Sequence, residues 1–385
     1  MLRFSRKLEK IKPTIFSHIT NLANKYKAIN LGQGFPDFDG PEFVKRAAMQ
    51  AIQEGKNQYC PSIGIPELRV AIADKYKNLY NINFNPNTEI TLYSGATEAI
   101  FSTLFALLNP RDEVILFEPF YDAYRALCYF TDAIPKFVRI APDYSIDFKQ
   151  LEATMSNKTK CIVFTNPHNP TGKMFSKDEL KRIGNTCSSC FIIADEVYEH
   201  ITYEDSHLPI ASFPEFRERA ITISSTAKTF SLTGWKIGYT LANETVTKRI
   251  RMVHQFVTFC TATPLQYAMA EALRADSSYY NTLKRKYWEK RDLLNSILQD
   301  TGFKTYLPQG SYYIVTDISD FHYSDDIQFC EFLIKEIGVA AIPMSAFYSE
   351  KNPVRNLVRF CFAKKDDVLE KAGKRLQKLK GKKEE

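Results

Sequence analysis

The chain has 385 residues, of which 44% are hydrophobic and 25% are charged, so it is long and apolar enough to bury the cores of two packed lobes. Its formal net charge of +7 is mild, no basic cluster is interleaved with aromatic residues, and no apolar run could span a bilayer, which argues against nucleic-acid and membrane partners. The eight cysteines are scattered and the charged N-terminus is not followed by an apolar stretch, so we expect a cytoplasmic protein.

Strand-like and helix-like segments alternate through the first two thirds of the chain. A strand at 90–93 leads into a helix at 97–108, and a capping-box pattern at Ser176–Glu179 predicts the start of a later helix. Because the strand-like runs are continuously apolar, they predict a mostly parallel sheet with helices on both faces. The further strands are predicted at 113–117, 160–164, 191–194, 220–224 and 236–241.

The last third of the chain predicts a smaller α/β lobe. A long helix at 278–299 is followed by strands at 311–317 and 357–362, with helices at 325–336 and 366–380. The first forty residues lack the period of a sheet, and we expect them to dock on this lobe. We therefore predict an N-terminal arm and part of the small domain at 1–40, a large domain at 41–280 and a small C-terminal domain at 281–385.

One C-x-x-C pair, Cys187 and Cys190, stands before the strand at 191–194. A redox pair normally opens a helix after a strand, and no second pair lies at zinc-finger spacing. We therefore interpret both as buried structural cysteines and predict no metal site.

One lysine has unusual neighbours. Lys228 follows the apolar strand at 220–224 and is surrounded by small hydroxyl and glycine residues, which leave room for a bulky group at its tip. Ser225 and Lys236 can hold an anion close by. These are the demands of a lysine bound as a Schiff base to pyridoxal 5′-phosphate (PLP), whereas the alternative is a lysine that extends from a strand end into solvent.

Three other side chains suit the ring of that cofactor. Asp195 ends an apolar strand, where its carboxylate would keep a pyridine nitrogen protonated or would simply cap the next turn. Tyr198 and Asn169 can reach the ring hydroxyl. Asn169 lies in an Asn-Pro repeat that is otherwise an ordinary turn, and a cis bond before Pro170 would fix its side chain.

The remaining candidates concern anions and ring stacking. Ala96 and Thr97 begin a helix after Gly95, and backbone N–H groups at a helix start bind phosphate. Tyr121 is a candidate to stack on the ring, with a core aromatic as the alternative. Arg359 lies in an apolar strand and needs an anion, which is either a substrate carboxylate or the acid of a structural ion pair.

Together these segments resemble the fold-type-I, PLP-dependent aminotransferases of class I and II over nearly the whole chain. The motifs at 30–38, 57–59, 228–236 and 359–362 are similar to those of the branch that contains kynurenine, glutamine and methionine aminotransferases. The resemblance implies an α/β fold, with a mostly parallel seven-stranded sheet sandwiched by helices in the large, PLP-binding domain. It also implies roles for named residues: Lys228 forms the Schiff base, Asp195 pairs the ring nitrogen, Asn169 and Tyr198 contact the ring oxygen, Tyr121 stacks on the ring, Ala96, Thr97, Ser225 and Lys236 hold the phosphate, and Arg359, Asn169 and Gly34 bind the substrate carboxylate.

The resemblance further implies a homodimer with shared active sites. Tyr59 is expected to reach the partner's phosphate, while Phe259 and Phe16 line the side-chain pocket. The implied reaction is ping-pong transfer of an amino group from a methionine, aromatic, glutamine or kynurenine donor to a 2-oxo acid. A β-lyase acting on cysteine conjugates, or a non-enzymatic protein built on this fold, remains an alternative. Cys260 stands where a kynurenine-using relative carries histidine, which leaves the preferred donor open.

Overall fold

The computed structural model describes residues 5–11, 14–141, 143–349 and 353–382. The first four residues, part of the charged N-terminus used above, lie outside the described residues. The helices are α1 Ile15–Tyr26, α2 Glu42–Gln53, α3 Pro66–Tyr80, α4 Ala96–Leu107, α5 Asp122–Phe130, α6 Phe148–Thr154, α7 Lys177–Thr186, α8 Thr226–Thr229, α9 Glu244–Val257, α10 Thr263–Leu273, α11 Ser277–Asp300, α12 Asp326–Phe332 and α13 Asp366–Leu376. The strands are β1 Ile29–Asn30, β2 Ile90–Ser94, β3 Glu113–Glu118, β4 Ile134–Arg139, β5 Thr159–Thr165, β6 Phe191–Asp195, β7 Ala220–Ser225, β8 Ile237–Leu241, β9 Lys304–Tyr306, β10 Tyr313–Asp317, β11 Val339–Ala340, β12 Ile342–Pro343 and β13 Leu357–Cys361.

Seven strands form the central sheet in the order β2-β8-β7-β6-β5-β3-β4. The pairs from β7 to β4 are all parallel, and only β8 runs antiparallel to its two neighbours. Strands β3, β7 and β8 are buried along their whole length because helices cover both faces of the sheet. The predicted α/β fold with a mostly parallel seven-stranded sheet is confirmed.

The edge strand β4 has no counterpart among the predicted strands. Its sequence, IPKFVR, contains a proline and a lysine, and these break the apolar run that reveals the inner strands. Pro135 is tolerated because an edge strand pairs on one side only, here with β3.

The predicted capping box between Ser176 and Glu179 is present in full at the start of α7.

The carboxyl ends of the parallel strands gather polar side chains at one edge of the sheet. Thr165 at the end of β5 stands beside Asp195 at the end of β6, and Asp195 in turn pairs with Ile223 of β7. Ser225 ends β7 and leads directly into α8, which carries Lys228. In open α/β sheets this edge is where ligands bind.

A second, antiparallel sheet has the order β12-β13-β10-β9. The N-terminal segment docks beside it, since β1 pairs with β11 and the Cys361 N–H donates to the Leu31 carbonyl at 2.7 Å. The predicted helix at 325–336 is α12 followed by a π-helical turn at Leu333–Ile337. The division into domains at residues 40 and 280 stays a prediction. Within the described residues, no helix is both long and apolar enough to cross a membrane.

Cys187 and Cys190 are both buried, in keeping with a structural role. They are not free thiols, however, because their sulfur atoms are joined in a disulfide. The end of α7 and the tight turn before β6 bring their Cα atoms to 5.2 Å, which is within the range that a disulfide spans.

A buried ion pair fixes the turn after β6. Lys75 of α3 lies 2.6 Å from the Glu199 carboxylate, and both side chains are almost fully enclosed. Ser224 and Tyr239 also donate to Glu199, at 2.7 and 3.1 Å. Burial alone raises the pKa of Glu199, but the ammonium of Lys75 outweighs it and holds that pKa below its usual value. The pair therefore ties α3 and β8 to the turn that carries Tyr198.

Lys75→Met should lower the free energy of unfolding by about 3–5 kcal/mol, because it leaves the Glu199 carboxylate buried without its cation. Chemical denaturation would measure the change. The matched control is Lys371→Met, which breaks the exposed pair with Asp367 and should have little effect. Equal losses in the two variants would contradict a structural role for the buried pair.

Candidate active site

A cavity of about 480 Å³ opens at the carboxyl edge of the central sheet, beside the second sheet. Of the site residues predicted from the sequence, only Tyr59 and Phe259 lie outside it. The predicted residues that line the cavity are Phe16, Gly34, Ala96, Thr97, Tyr121, Asn169, Asp195, Tyr198, Ser225, Lys228, Lys236 and Arg359.

Lys228 projects into this cavity from the short helix α8. Ser225 caps the helix by accepting a hydrogen bond from the Ala227 N–H at 3.1 Å. The Lys228 Nζ lies 3.3 Å from the Gly34 carbonyl, and about 5.5 Å from the ring centroids of Tyr198 and Tyr312. Burial lowers the pKa of Lys228 to about 8, against the attraction of Asp195. A neutral amine is therefore accessible near neutral pH, as a nucleophile or proton acceptor requires.

Asp195 is buried, and its two carboxylate oxygens have different partners. Oδ2 accepts a hydrogen bond from the Tyr124 hydroxyl at 2.6 Å, and Oδ1 accepts one from the Val197 N–H at 3.4 Å. The turn-capping alternative is thus part of what Asp195 does. Burial raises the pKa of Asp195 to about 6 despite the hydrogen bond from Tyr124. A cation placed beside this carboxylate would be strongly favoured.

The start of α4 has the geometry that suits an anion. Gly95 has a φ of +87°, which turns the chain into the helix, and a Cβ at this position would stand 2.9 Å from the Lys236 Nζ. A Cβ at Gly238 would stand 2.5 Å from the Ala96 nitrogen, so β8 approaches the turn closely because it has no side chain there. The first-turn N–H groups of Ala96 and Thr97 lie beside Lys236, where the helix dipole adds positive potential.

Arg359 is 1% exposed and has no charged hydrogen-bond partner among the described residues. Its guanidinium donates to the Asn169 side-chain oxygen at 2.7 Å and to the Gly32 carbonyl at 3.3 Å, and its Nε has no partner. The ring of Tyr313 lies 3.9 Å from the guanidinium carbon. The structural ion pair considered above does not form within the described residues, so the charge remains available to a bound anion.

The turn that carries Asn169 contains two cis bonds, Asn166-Pro167 and Asn169-Pro170. The second was predicted from the sequence, and it is confirmed. The turn places the Asn169 amide between the central sheet and Arg359 of the second sheet.

Sequence reasoning missed two tyrosines in this cavity. Tyr124, one helical turn after Tyr121, holds Asp195, and their rings meet edge to face at 5.5 Å. Tyr313 packs against Arg359 and its hydroxyl is 3.1 Å from that of Tyr198. The one-turn spacing from Tyr121 was an available signal for Tyr124. Tyr313 is different, because only the register of β10 on β13 reveals that it neighbours Arg359.

Tyr59 and Phe259 lie on the surface, 85% and 36% exposed, with their rings packed edge to face at 5.4 Å. Their predicted role in a partner's site stays a prediction. Within the described residues, no group of three or more histidine, cysteine or acidic side chains is arranged to hold a metal ion.

The chain is similar to known proteins over almost its whole length. The family model described as aminotransferase class I and II matches residues 26–376. Methionine aminotransferase of Escherichia coli is 38% identical over 377 residues, which cover 97% of each chain. Kynurenine–oxoglutarate transaminase of Dictyostelium discoideum is 37% identical, over 98% of this chain and 96% of that one. The solved structure of N-succinyldiaminopimelate aminotransferase from Mycobacterium tuberculosis matches with a TM-score of 0.95 at 37% identity, covering 98% of this chain and 100% of that one.

The buried position of Lys228 predicts unusual reactivity in the protein without added ligands. Acetylation of individual lysines across a pH series, followed by mass spectrometry, should give Lys228 a midpoint near 8. Lys371 is the internal control, since its hydrogen bond to Asp367 raises its pKa. Asp195→Asn should move the Lys228 midpoint further down, because it removes a negative charge that favours the ammonium. A common midpoint for both lysines would contradict this site.

Proposed function

Because the chain belongs to the class I and II aminotransferase family and is a transaminase, we propose that it binds pyridoxal 5′-phosphate in this cavity and moves the amino group of an L-amino acid to a 2-oxo acid in a ping-pong reaction. The observation that carries the proposal is the grouping of a buried lysine, a buried aspartate and a buried arginine around one cavity. Each group matches one requirement of that reaction.

The residues present fit the cofactor. Ala96, Thr97, Ser225 and Lys236 would hold its phosphate at the start of α4, where N–H groups and an ammonium converge. Asp195 would pair the ring nitrogen, because its buried carboxylate is hydrogen-bonded only by neutral donors. Tyr121 would cover one face of the ring, and Asn169 and Tyr198 would contact the ring oxygen.

When bound, PLP supplies an aldehyde carbon that carries the amino group and a ring that withdraws electron density from the substrate's α carbon. The chain's own contribution is to move a proton. Lys228 Nζ lies within the cavity, and its lowered pKa lets it take a proton from the α carbon and return one. Asp195, as a carboxylate, would keep the adjacent ring nitrogen of the bound cofactor protonated. The surrounding tyrosines, including Tyr198 and Tyr313, limit the access of water.

Arg359 would bind the α-carboxylate of the substrate. Its planar fork is held by Asn169 and Gly32 on one side and by Tyr313 below, so its orientation is fixed before the substrate arrives. A carboxylate would also neutralise a buried cation that forms no ion pair among the described residues.

The side-chain pocket favours large apolar or sulfur-containing donors. Phe16 lines the cavity and packs against the buried Phe347 at 5.7 Å, and aromatic surfaces suit thioethers and rings. Two of the three relatives described above, named for methionine and kynurenine, point the same way. We therefore propose methionine and aromatic amino acids as first donors, with glutamine and kynurenine also compatible. The relatives described above are all named as aminotransferases, and we do not carry the β-lyase alternative forward.

We also propose a homodimer in which Tyr59 and Phe259 complete the partner's site. The support is an exposed aromatic patch, in which Tyr59, Phe256 and Phe259 are 85%, 90% and 36% exposed. Apolar side chains exposed together commonly mark an interaction surface. The cytoplasmic location stays a prediction.

Reduction with borohydride should trap a pyridoxyl group on Lys228 of the purified, PLP-supplemented protein, detectable by peptide mass. Lys228→Ala should still bind PLP through the phosphate and ring contacts but lose essentially all turnover of methionine with a 2-oxo acid. Lys75 and the exposed lysines should carry no pyridoxyl group. Trapping on another lysine, or substantial turnover by Lys228→Ala, would contradict the assignment.

Arg359→Ala should lower kcat/KM for every amino donor, because all donors share the α-carboxylate. The decrease should correspond to a loss of about 2–5 kcal/mol of transition-state stabilisation. A panel of methionine, phenylalanine and aspartate measures this, with the remote and exposed Arg182→Ala as control. In the unaltered enzyme, methionine and phenylalanine should exceed aspartate. Aspartate as much the best donor would refute the side-chain pocket, and an unchanged kcat/KM in Arg359→Ala would refute the carboxylate site.

A further inference from the structure

A second cavity of about 530 Å³ adjoins the active site. The two cavities share Thr14, Phe16 and Asp122 as walls, so a side chain that passes Phe16 enters the second one. A third cavity continues outward and shares Lys10, Arg125, Tyr129 and Ser349 with the second. The second and third cavities, called the side groove below, therefore form one path that leads from the substrate position toward solvent.

Among the described residues that line the side groove, cations outnumber acids. Arg125 of α5 stands where the second and third cavities meet, half-buried, with its guanidinium 5.6 Å from the ring centroid of Phe120. Lys10 lies nearby, 5.6 Å from the Tyr129 ring. Among the described residues, neither cation forms an ion pair. Lys136, at the outer end of the side groove, does form an ion pair, because its Nζ lies 3.2 Å from the Glu113 carboxylate.

The acids of the side groove do not cancel these charges. Asp122 is the first residue of α5, and burial raises the pKa of its carboxyl group. It lines both the active-site cavity and the second cavity, and it interacts electrostatically with both Arg359 and Arg125. Glu9 lines only the outermost cavity, beside Lys10. Among the described residues, the second cavity is therefore lined by one carboxylate, Asp122, and by three cations, Arg125, Lys10 and the exposed Arg355.

We propose that the side groove is a second recognition site for substrate, in which Arg125 binds an anionic group at the far end of a long side chain. The preferred ligands are amino acids and 2-oxo acids whose side chains end in a carboxylate beyond the reach of glutamate. Arg359 binds the α-carboxylate and Arg125 binds the distal one. This inference rests on the proposed function and names a further class of substrate for the same site.

A carboxylate is the chemistry that fits best. Arginine presents a planar fork of donors to a carboxylate, and a charged hydrogen bond in a half-buried setting adds appreciable binding free energy. The groove wall also supplies apolar surface for the connecting chain, from Phe16, Ala126 and Tyr129. The enzyme would then bind apolar donor side chains in the inner part of the path. A donor with a distal negative charge would bind more tightly, because that charge would reach Arg125 further out.

Carbon-matched donors test the proposal: glutamate with norvaline, 2-aminoadipate with norleucine, and 2-aminosuberate with 2-aminooctanoate. In the unaltered enzyme, the ratio of kcat/KM for the charged over the uncharged member should rise along the series and reach about tenfold or more for the longest pair. Arg125→Gln should abolish that rise, and Arg125→Lys should keep part of it. Arg182→Gln is the matched control, because it alters an arginine remote from the groove and should leave the ratios unchanged.

Isothermal titration of suberate and octanoate provides a readout that does not depend on turnover. Suberate should bind more tightly than octanoate, and Arg125→Gln should remove the difference. This inference would be overturned if the kcat/KM ratio of charged over uncharged donors did not change with chain length, or if it were the same in Arg125→Gln. Turnover of methionine in that case would leave the proposed function standing. Failure of the unaltered enzyme to turn over any donor would overturn both.

Discussion

Burial of charge governs the candidate site. Lys228, Asp195 and Arg359 are drawn into one cavity, and within the chain their partners are largely neutral hydroxyl, amide and carbonyl groups. Removing charged groups from water costs free energy unless opposite charges compensate. The Lys75–Glu199 pair is different, because there a buried cation and a buried anion are in direct contact and stabilise the fold. The contrast distinguishes buried charges that stabilise the fold from those of the cavity, which a ligand of opposite charge could neutralise.

The two sheets are coupled through the substrate position. Asn169 follows the central sheet and Arg359 belongs to the second, yet they form a 2.7 Å hydrogen bond across 190 residues of sequence. Tyr198 and Tyr313 make a similar link, since their hydroxyl groups lie 3.1 Å apart. A carboxylate bound at Arg359 therefore contacts a residue whose position depends on both sheets. The proposed transamination would benefit, because the α carbon must be held at a fixed place relative to Lys228, which α8 carries at the end of the central sheet.

How far the sequence predicts this molecule depends on whether a signal is local. The apolar strands and the setting of Lys228 are local patterns, and the structure brings the predicted site residues other than Tyr59 and Phe259 around one cavity. Tyr313 could not be identified in that way, because its neighbourhood with Arg359 arises from strand register. Strand β4 was hidden by Pro135 and Lys136, which an edge position tolerates. The Cys187–Cys190 bond depends on the exact turn between α7 and β6, which composition does not specify.

The differing burial of Arg359 and Arg125 explains how chemistry and selectivity can be separated along one path. Arg359 is 1% exposed and held by two hydrogen bonds, so in the proposed reaction it would define a single position for the carboxylate that every substrate shares. Arg125 is half-buried and rests on the ring of Phe120 without an ion pair among the described residues, so its side chain can adjust to chains of different length. Arg359 lines the active-site cavity, whereas Arg125 lines the second and third cavities. A ligand that satisfies both arginines must therefore carry its two negative charges far apart, which makes chain length a criterion of selection.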